Sequence, residues 1–347
     1  MADPVSVPIG YVKALLSAAA EKGCDTSAIL RAMEISPGAI DASQDFPALT
    51  YGKLYQRIMR VMQDEWFGML SGGRIRPGSF RMLCLSVIQC KTLEQAIIRT
   101  GEFCEICRGF RVKYVHERIG DQALLRLKQL DMVGDGTFEA LAESFSARAI
   151  RTSIAMTHQF NCWLIGQRIP LNTAYFSFPC PDEFEELATL KPTTVKFDQG
   201  FNGLSIDAKY LDYPVVQGEE SLEEFLRTAP YRLVIEDPAA QSMTDRVKGM
   251  LSKDVGREML AAEQVASRLG VSVTTLRRHL QHEGTSFQKL KDGCRMEAAF
   301  HYLSSPDYII GDIANQLGFE DTSAFFRGFK RWTGLTPGEY RKRHGTP

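Results

Sequence analysis

Near its C-terminal end the chain says the same thing twice. "AAEQVASRLGVSVTTLRRHLQHEGTSF" (261–287) and "IIGDIANQLGFEDTSAFFRGFKRWTGLTP" (309–337) lie about fifty residues apart. They align Ala266 with Ala314, Leu269 with Leu317, Gly270 with Gly318, Leu276 with Phe325, Leu280 with Phe329 and Gly284 with Gly334. A repeated unit of this length must fold as one supersecondary motif used twice. Each copy has the pattern of a helix-turn-helix. A short helix packs through Val265 and Leu269, or through Ile313 and Leu317, and the small Ala266 or Ala314 admits the next helix closely. Gly270 and Gly318 end the first helix with a backbone conformation that side chains resist. Ser272 and Asp321 are the expected caps of the second.

Burying Leu276 and Leu280, four residues apart, or Phe325 and Phe329, decides what that second helix shows to the outside. The first copy presents Thr274, Arg277, Arg278 and Gln281, with Thr275 beside them; the second presents Thr322, Ser323, Phe326, Arg327 and Lys330. Arginine can grip guanine with two hydrogen bonds, hydroxyls can bond bases or phosphates, and an apolar side chain can touch a thymine methyl. These ten are the candidate DNA-binding residues. "FQKLKDGCRMEAAFHYL" joins the copies, and Leu290, Met296, Ala299 and Leu303 are expected to form an apolar stripe against both. A helical connector would fix the spacing of the two reading helices, placing them about one DNA turn (~34 Å) apart. Gly293 within it costs up to ~1 kcal/mol relative to Ala.

The stretch from Ala261 to Arg341 resembles the DNA-binding domain of the AraC/XylS family of bacterial transcription regulators. The second motif carries the resemblance almost throughout: "GFED" at 318–321, Ser323, Phe325, Arg327, "FK" at 329–330, Gly334, Thr336-Pro337 and Tyr340-Arg341. "LRRHLQHEGTSFQKL" is similar to the first unit of a subgroup whose regulatory half opens with helices, the arabinose-binding type. The order of elements from about Gly23 to Asp212 fits that half. The resemblance implies an effector-sensing, dimer-forming N-terminal domain, promoter DNA and RNA polymerase as partners, a homodimer, and activation as the more usual direction of control.

The rest of the sequence is compatible with this. Its 347 residues allow two or three domains, and the apolar and charged fractions are ordinary for a globular protein. Net charge is −1, which alone does not suggest a nucleic-acid binder, but about four excess positive charges lie from Gln241 onward and about five excess negative ones before it. The N-terminal half reads as α+β. Helical spacing runs from Tyr11 to about Arg108, followed by two alternating strands around Gly120-Asp121. A long helix follows with Thr137 as its candidate cap, then a strand at "TAYFSFP", a short helix at "DEFEELATL" and more strand to Asp207. The expected organisation is therefore an α+β effector domain of helices plus antiparallel sheet (1–230), a linker (231–240) bracketed by Pro230 and Pro238, and an all-α domain of two helix-turn-helix units joined by a helix (241–347).

"MLCLSVIQC" and "TSIAMTHQFNCWLIG" read first as core and second as walls of a cavity for a small effector, apolar or carboxylate-bearing. Tyr114, His116, Arg148 and His158, with Arg151, are the polar residues that could meet it. Eight scattered cysteines do not form a disulfide scaffold, and "CEIC" (Cys104, Cys107) has no second pair to complete four zinc ligands. No metal or cofactor is expected, and there is no phosphate-cradling loop, metalloprotease helix or nucleophile elbow. The opening twenty residues carry no basic leader and place Lys13 in their apolar segment, so a cytoplasmic protein without membrane attachment, on the nucleoid when bound, is expected. The alternative classes are a metabolite-processing enzyme or a DNA-repair regulator recruited to DNA by its C-terminal half, and a constitutive DNA binder.

Overall fold

Alternation of apolar residues along three strands builds the face on which the N-terminal unit is organised. In the computed structural model, which describes residues 6–42, 44–66, 70–71, 73–130, 145–180, 192–228, 242–255, 259–305 and 308–344, β3 (Val112–Ile119) and β4 (Gln122–Gln129) form the hairpin expected around Gly120-Asp121. With β5 (Leu171–Tyr175), β6 (Pro192–Lys196) and β7 (Gly203–Asp207) they make a sheet of order β3-β4-β7-β5-β6. It is antiparallel except for the β5–β6 pair, which is parallel. Register sets Tyr114 opposite Leu127, His116 opposite Leu125, Leu125 opposite Leu204 and Leu204 opposite Ala174. One continuous face follows, covered by α6 (Leu93–Ile106) and α7 (Ala147–Ile165).

Caps set the ends of these helices. Thr92 Oγ1 caps α6 by accepting from Gln95 N, and Gln95 Oε1 accepts from Lys91 N just before the cap. Ser146 caps α7, its Oγ accepting from Ala149 N at 3.2 Å. Thr137 and the segment "DEFEELATL" lie outside the described residues.

Before the sheet, α1 (Ile9–Glu21), α2 (Thr26–Ala32), α3 (Pro37–Ala42) and α4 (Ala48–Met62) share a core through Val12, Leu15, Ile29, Leu54 and Ile58. Strands β1 (Ser6–Pro8) and β2 (Asp45–Pro47) pair at the edge of that core. Three residues each is too short for alternation to register in a sequence. After α5 (Ser79–Val87), and beyond the sheet and a 3-10 turn at Ala208–Asp212, α8 (Glu219–Thr228) inserts Phe225 against Trp163, ring centroids 4.0 Å apart.

Two compact units divide the chain: Met1–Asp212 with Glu219–Ala239, and Tyr213–Gly218 with Ala240–Pro347. The described elements of the second are all helices, α9 (Met243–Ser252), α10 (Ala262–Arg268), α11 (Val273–His282), α12 (Phe287–Ser304), α13 (Ile310–Gln316), α14 (Thr322–Thr333) and α15 (Pro337–His344). The short segment Tyr213–Gly218 is built into it: Val216 is buried in the first helix-turn-helix core, and a Cβ on Gly249 of α9 would fall 1.6 Å from the Val216 carbonyl oxygen. Only glycine permits that approach.

Candidate nucleic-acid interface and effector cavity

The repeat read from the sequence becomes two bihelical units of matching geometry. Gly270 and Gly318 take φ of +69° and +66° at the turn, and Gly284 and Gly334 take +77° and +76° after the second helix. Ser272 Oγ accepts from Thr275 N at 3.1 Å, and Asp321 Oδ1 accepts from Ala324 N at 2.6 Å. The caps expected in both copies are therefore formed. Leu276 and Leu280 are fully buried with Val265 and Leu269; Phe325 and Phe329 are fully buried with Ile313 and Leu317.

Helix α12 holds the copies in one unit. Its N-terminus is capped by Ser286, and it runs unbroken through Gly293. Leu290 and Cys294 pack into the first core, Ala299 and Leu303 into the second. Met296 is only half-buried and joins neither core, so the stripe expected through it shifts to Cys294, which continues the four-residue spacing from Leu290. Three arginines brace the second copy. Arg295 donates to the Gly318 carbonyl at 3.0 Å with its guanidinium over the Phe319 ring, Arg331 bonds Asp292 at 3.0 Å, and Arg341 donates to the Tyr308 carbonyl at 2.7 Å.

The outward arginines are treated differently. Arg277, Arg278 and Arg327 are exposed, and among the described residues no hydrogen bond or ion pair holds them. Thr274, Gln281, Thr322, Ser323 and Lys330 are exposed with them. Two of the ten candidates sit otherwise. Thr275 is half-buried with its hydroxyl 2.9 Å from the capping Ser272 Oγ, and Phe326 is half-buried with its ring edge-on to Phe325. Side chains already spent on cap and core are less free to reach a base edge.

In the N-terminal unit a cavity of about 670 Å³ opens between α4, α5, α6, β3, α7 and α8. Trp66, Phe80 and Phe110 form its aromatic wall, with Trp66 edge-on to both phenyl rings at centroid distances of 5.6 and 5.0 Å. "MLCLSVIQC" supplies Leu83, and "TSIAMTHQFNCWLIG" supplies Met156, Thr157 and Phe160; Cys84, Val87, Ile88 and Cys90 are core. The sequence reading carried helical spacing through Trp66, but the helix ends at Met62, and Trp66 lies in the turn beyond it, where it joins the cavity wall instead.

Of the five polar candidates two meet, and Arg151 lines neither space. Tyr114 and His158 line a small chamber of about 20 Å³, and Tyr114 also lines the large cavity. Burial drives His158 down to about 4, with Arg168 adding to the effect, so its imidazole is neutral. His116 instead bonds Glu94 at 3.0 Å, and Glu94 also accepts from Arg118, which forks onto Asp212 at 2.7 and 3.2 Å. Arg148 is exposed and lines neither space. Cys104 faces the cavity as a thiol, burial pushing it up to about 12. Among the described residues no group of three or more His, Cys, Asp or Glu could hold a metal ion, and no helix is long and apolar enough to cross a membrane.

Residues 23–215, more than half the chain, match the family model described as the arabinose-binding domain of AraC transcription regulators, and residues 265–343 match that of a helix-turn-helix domain. The chain belongs to the AraC family of transcription regulators. It is a DNA-binding regulator with an α+β N-terminal domain and a helical C-terminal domain of two helix-turn-helix units. This regulator is 26% identical to the ornithine utilization regulator of Pseudomonas aeruginosa, over 97% of this chain and 96% of that one. It is 25% identical to the HTH-type transcriptional regulator Rv1395 of Mycobacterium tuberculosis, over the same shares. With the transcriptional activator NphR of a Rhodococcus species it shares 29% identity over 42% of this chain and 48% of that one.

Proposed function

We propose that this AraC-family protein is a homodimeric, effector-responsive activator in the cytoplasm whose α11 and α14 enter successive major grooves of a promoter and whose bound form engages RNA polymerase. The observation that carries the DNA reading is the division among its arginines: Arg295, Arg331 and Arg341 are tied into the fold, whereas Arg277, Arg278 and Arg327 stand exposed without partners among the described residues. An arginine that braces nothing is available to bases and phosphates. Thr274, Gln281, Thr322, Ser323 and Lys330 complete the two surfaces.

The effector-sensing half extends to about residue 230, a linker covers 231–240, and the DNA-binding half covers 241–347. Effector enters the large cavity. Helix α8 supplies Glu223 and Leu226 to its wall, and it follows directly on Tyr213–Gly218, whose Val216 is packed in the first helix-turn-helix core. Occupancy that shifts α8 therefore pulls on the core behind α11. The name of one relative, a transcriptional activator, supports activation, and that of another, a regulator of ornithine use, supports response to a small metabolite.

A footprint on the promoter of the protein's own genomic neighbourhood tests the reading. Two protected major-groove segments about one turn (~34 Å) apart per protomer are expected. A single short segment, unchanged when Arg327 is replaced by Ala, would leave only one unit bound to DNA and contradict it.

A further inference from the structure

The chemistry of the cavity wall restricts what can occupy it. The inner wall is apolar: Trp66, Phe80, Phe110 and Phe160 with the thioethers Met59 and Met156. The charged residues of this wall are Arg60, Glu65, Arg81, Lys113 and Glu223. Lys113 is ion-paired with Glu105, one Glu65 oxygen accepts from Phe80 N at 2.8 Å, and Arg60, Arg81 and Glu223 are exposed. A volume of about 670 Å³ falls within the range of sites that take drug-sized molecules.

Polar side chains interrupt this wall at Tyr55, Gln56, Thr100, Tyr114 and Thr157, and of the lining residues Tyr114 is the one whose buried side-chain polar atom has no hydrogen-bond partner among the described residues. Tyr114 is half-buried and lines the cavity, but its hydroxyl is fully buried, with Thr157 beside it and no hydrogen bond of sound geometry. Burial raises the phenol far above its ordinary range, so it is a neutral donor. Tyr114 and His158 both line the 20 Å³ chamber, and the His158 Nδ1 is likewise buried without a partner. A chamber of that size holds one oxygen and little more. Thr100, Tyr114, Thr157 and Phe160 line both spaces, so the chamber lies beside the cavity with these four side chains in common.

We propose that the cavity takes an aromatic or fused-ring apolar molecule carrying a single hydroxyl or carbonyl at its leading end, and that this oxygen enters the small chamber to hydrogen-bond Tyr114. The inference rests on the reading of the cavity as the effector site and names its ligand class. A pentose would bring hydroxyls on every side to walls of phenyl and thioether, leaving them unpaired at a cost no ring stacking offsets. A basic amino acid would have to bury its stem and ammonium against phenyl and thioether, with one half-buried carboxylate, Glu65, on the wall to meet it.

Equilibrium dialysis of the full chain against 2-naphthol, 2-methylnaphthalene, L-arabinose and L-lysine decides it. The two naphthalenes have the same shape and differ in hydroxyl against methyl. The chain is expected to retain 2-naphthol about 3- to 10-fold more tightly than 2-methylnaphthalene and to retain neither polar compound. Tyr114→Phe, which keeps the ring, should erase the 2-naphthol preference without weakening 2-methylnaphthalene. Melting temperature checks that the variant is folded, and His158→Leu provides a second variant expected to cut the same preference. A preference that survives Tyr114→Phe overturns the hydrogen bond. Retention of arabinose or lysine but neither naphthalene overturns the ligand class and leaves an effector cavity in place, whereas retention of none of the four overturns both.

Discussion

In the first helix-turn-helix copy α11 buries Leu276 and Leu280, while in the second α14 buries Phe325 and Phe329, yet the paired glycines differ in φ by no more than 3°. Backbone punctuation is held constant and the filling is not. The aliphatic copy leans on its neighbours: α9 and the segment around Val216 complete its core, and Glu283 at the end of α11 accepts from Met243 N, Thr244 N and the Thr244 hydroxyl at the start of α9. The aromatic copy is closed by rings from its own vicinity, with Phe300, Phe319, Trp332 and Tyr340 around Phe325 and Phe329. A helix-turn-helix thus fixes its turn and caps and lets local partners decide the core.

Core truncation should separate the copies most. Phe329→Ala is expected to cost about 3–5 kcal/mol, since it empties a site bounded by three other rings, and Leu280→Ala about 2–5 kcal/mol. Denaturant unfolding followed by Trp332 fluorescence measures the first; circular dichroism measures both. A costlier Leu280→Ala would reverse the comparison. Cap removal should affect the copies alike. Ser272→Ala and Asp321→Ala are each expected to lose about 1 kcal/mol, and a cost confined to one of them would show that the shared caps are not equivalent.

The connector offers a change of opposite sign. A Cβ at Gly293 meets nothing within 4 Å, so Gly293→Ala should stabilise the C-terminal domain by up to ~1 kcal/mol with promoter affinity unchanged. Gained stability with lost affinity would mean that the copies must flex about this residue. The smallest effect is in acid. Burial works against ionisation of Glu283, but its bonds from Thr244 and Met243 prevail and hold the carboxyl below its ordinary value; Glu339 is lowered by its bonds from Thr336. A depressed carboxyl contributes stability above its unfolded pKa and loses it as pH falls through the folded one. Both copies should therefore weaken below the ordinary glutamate range. Glu283→Gln and Glu339→Gln should each flatten that decline in a pH titration of unfolding.

What was legible beforehand follows the same division. The repeat gave the turn glycines, both caps and the buried pairs, because each is enforced at short range by backbone geometry or a four-residue spacing. Cys294 in place of Met296 was not legible: periodicity admits both residues, and only the position of α9 decides between them. The parallel β5–β6 pair depends on long-range pairing that alternation does not encode. In the cavity the walls from α5 and α7 could be flagged as apolar runs, but Trp66 and Phe110 come from connecting segments, and the meeting of Tyr114 with His158 requires β3 and α7 to pack. His116 carries the same chemistry two residues along the same face and is consumed by Glu94.

The most direct test concerns the two arginine-bearing helices. Fluorescence anisotropy of the full chain on its promoter, with footprinting of the same complexes, should be run for wild type, Arg277→Ala and Arg327→Ala. Each variant is expected to lose about 1–3 kcal/mol of binding, roughly 5- to 150-fold, and each should lose protection at a different one of two segments a helical turn apart. Wild-type affinity and an intact footprint in both variants would contradict the account.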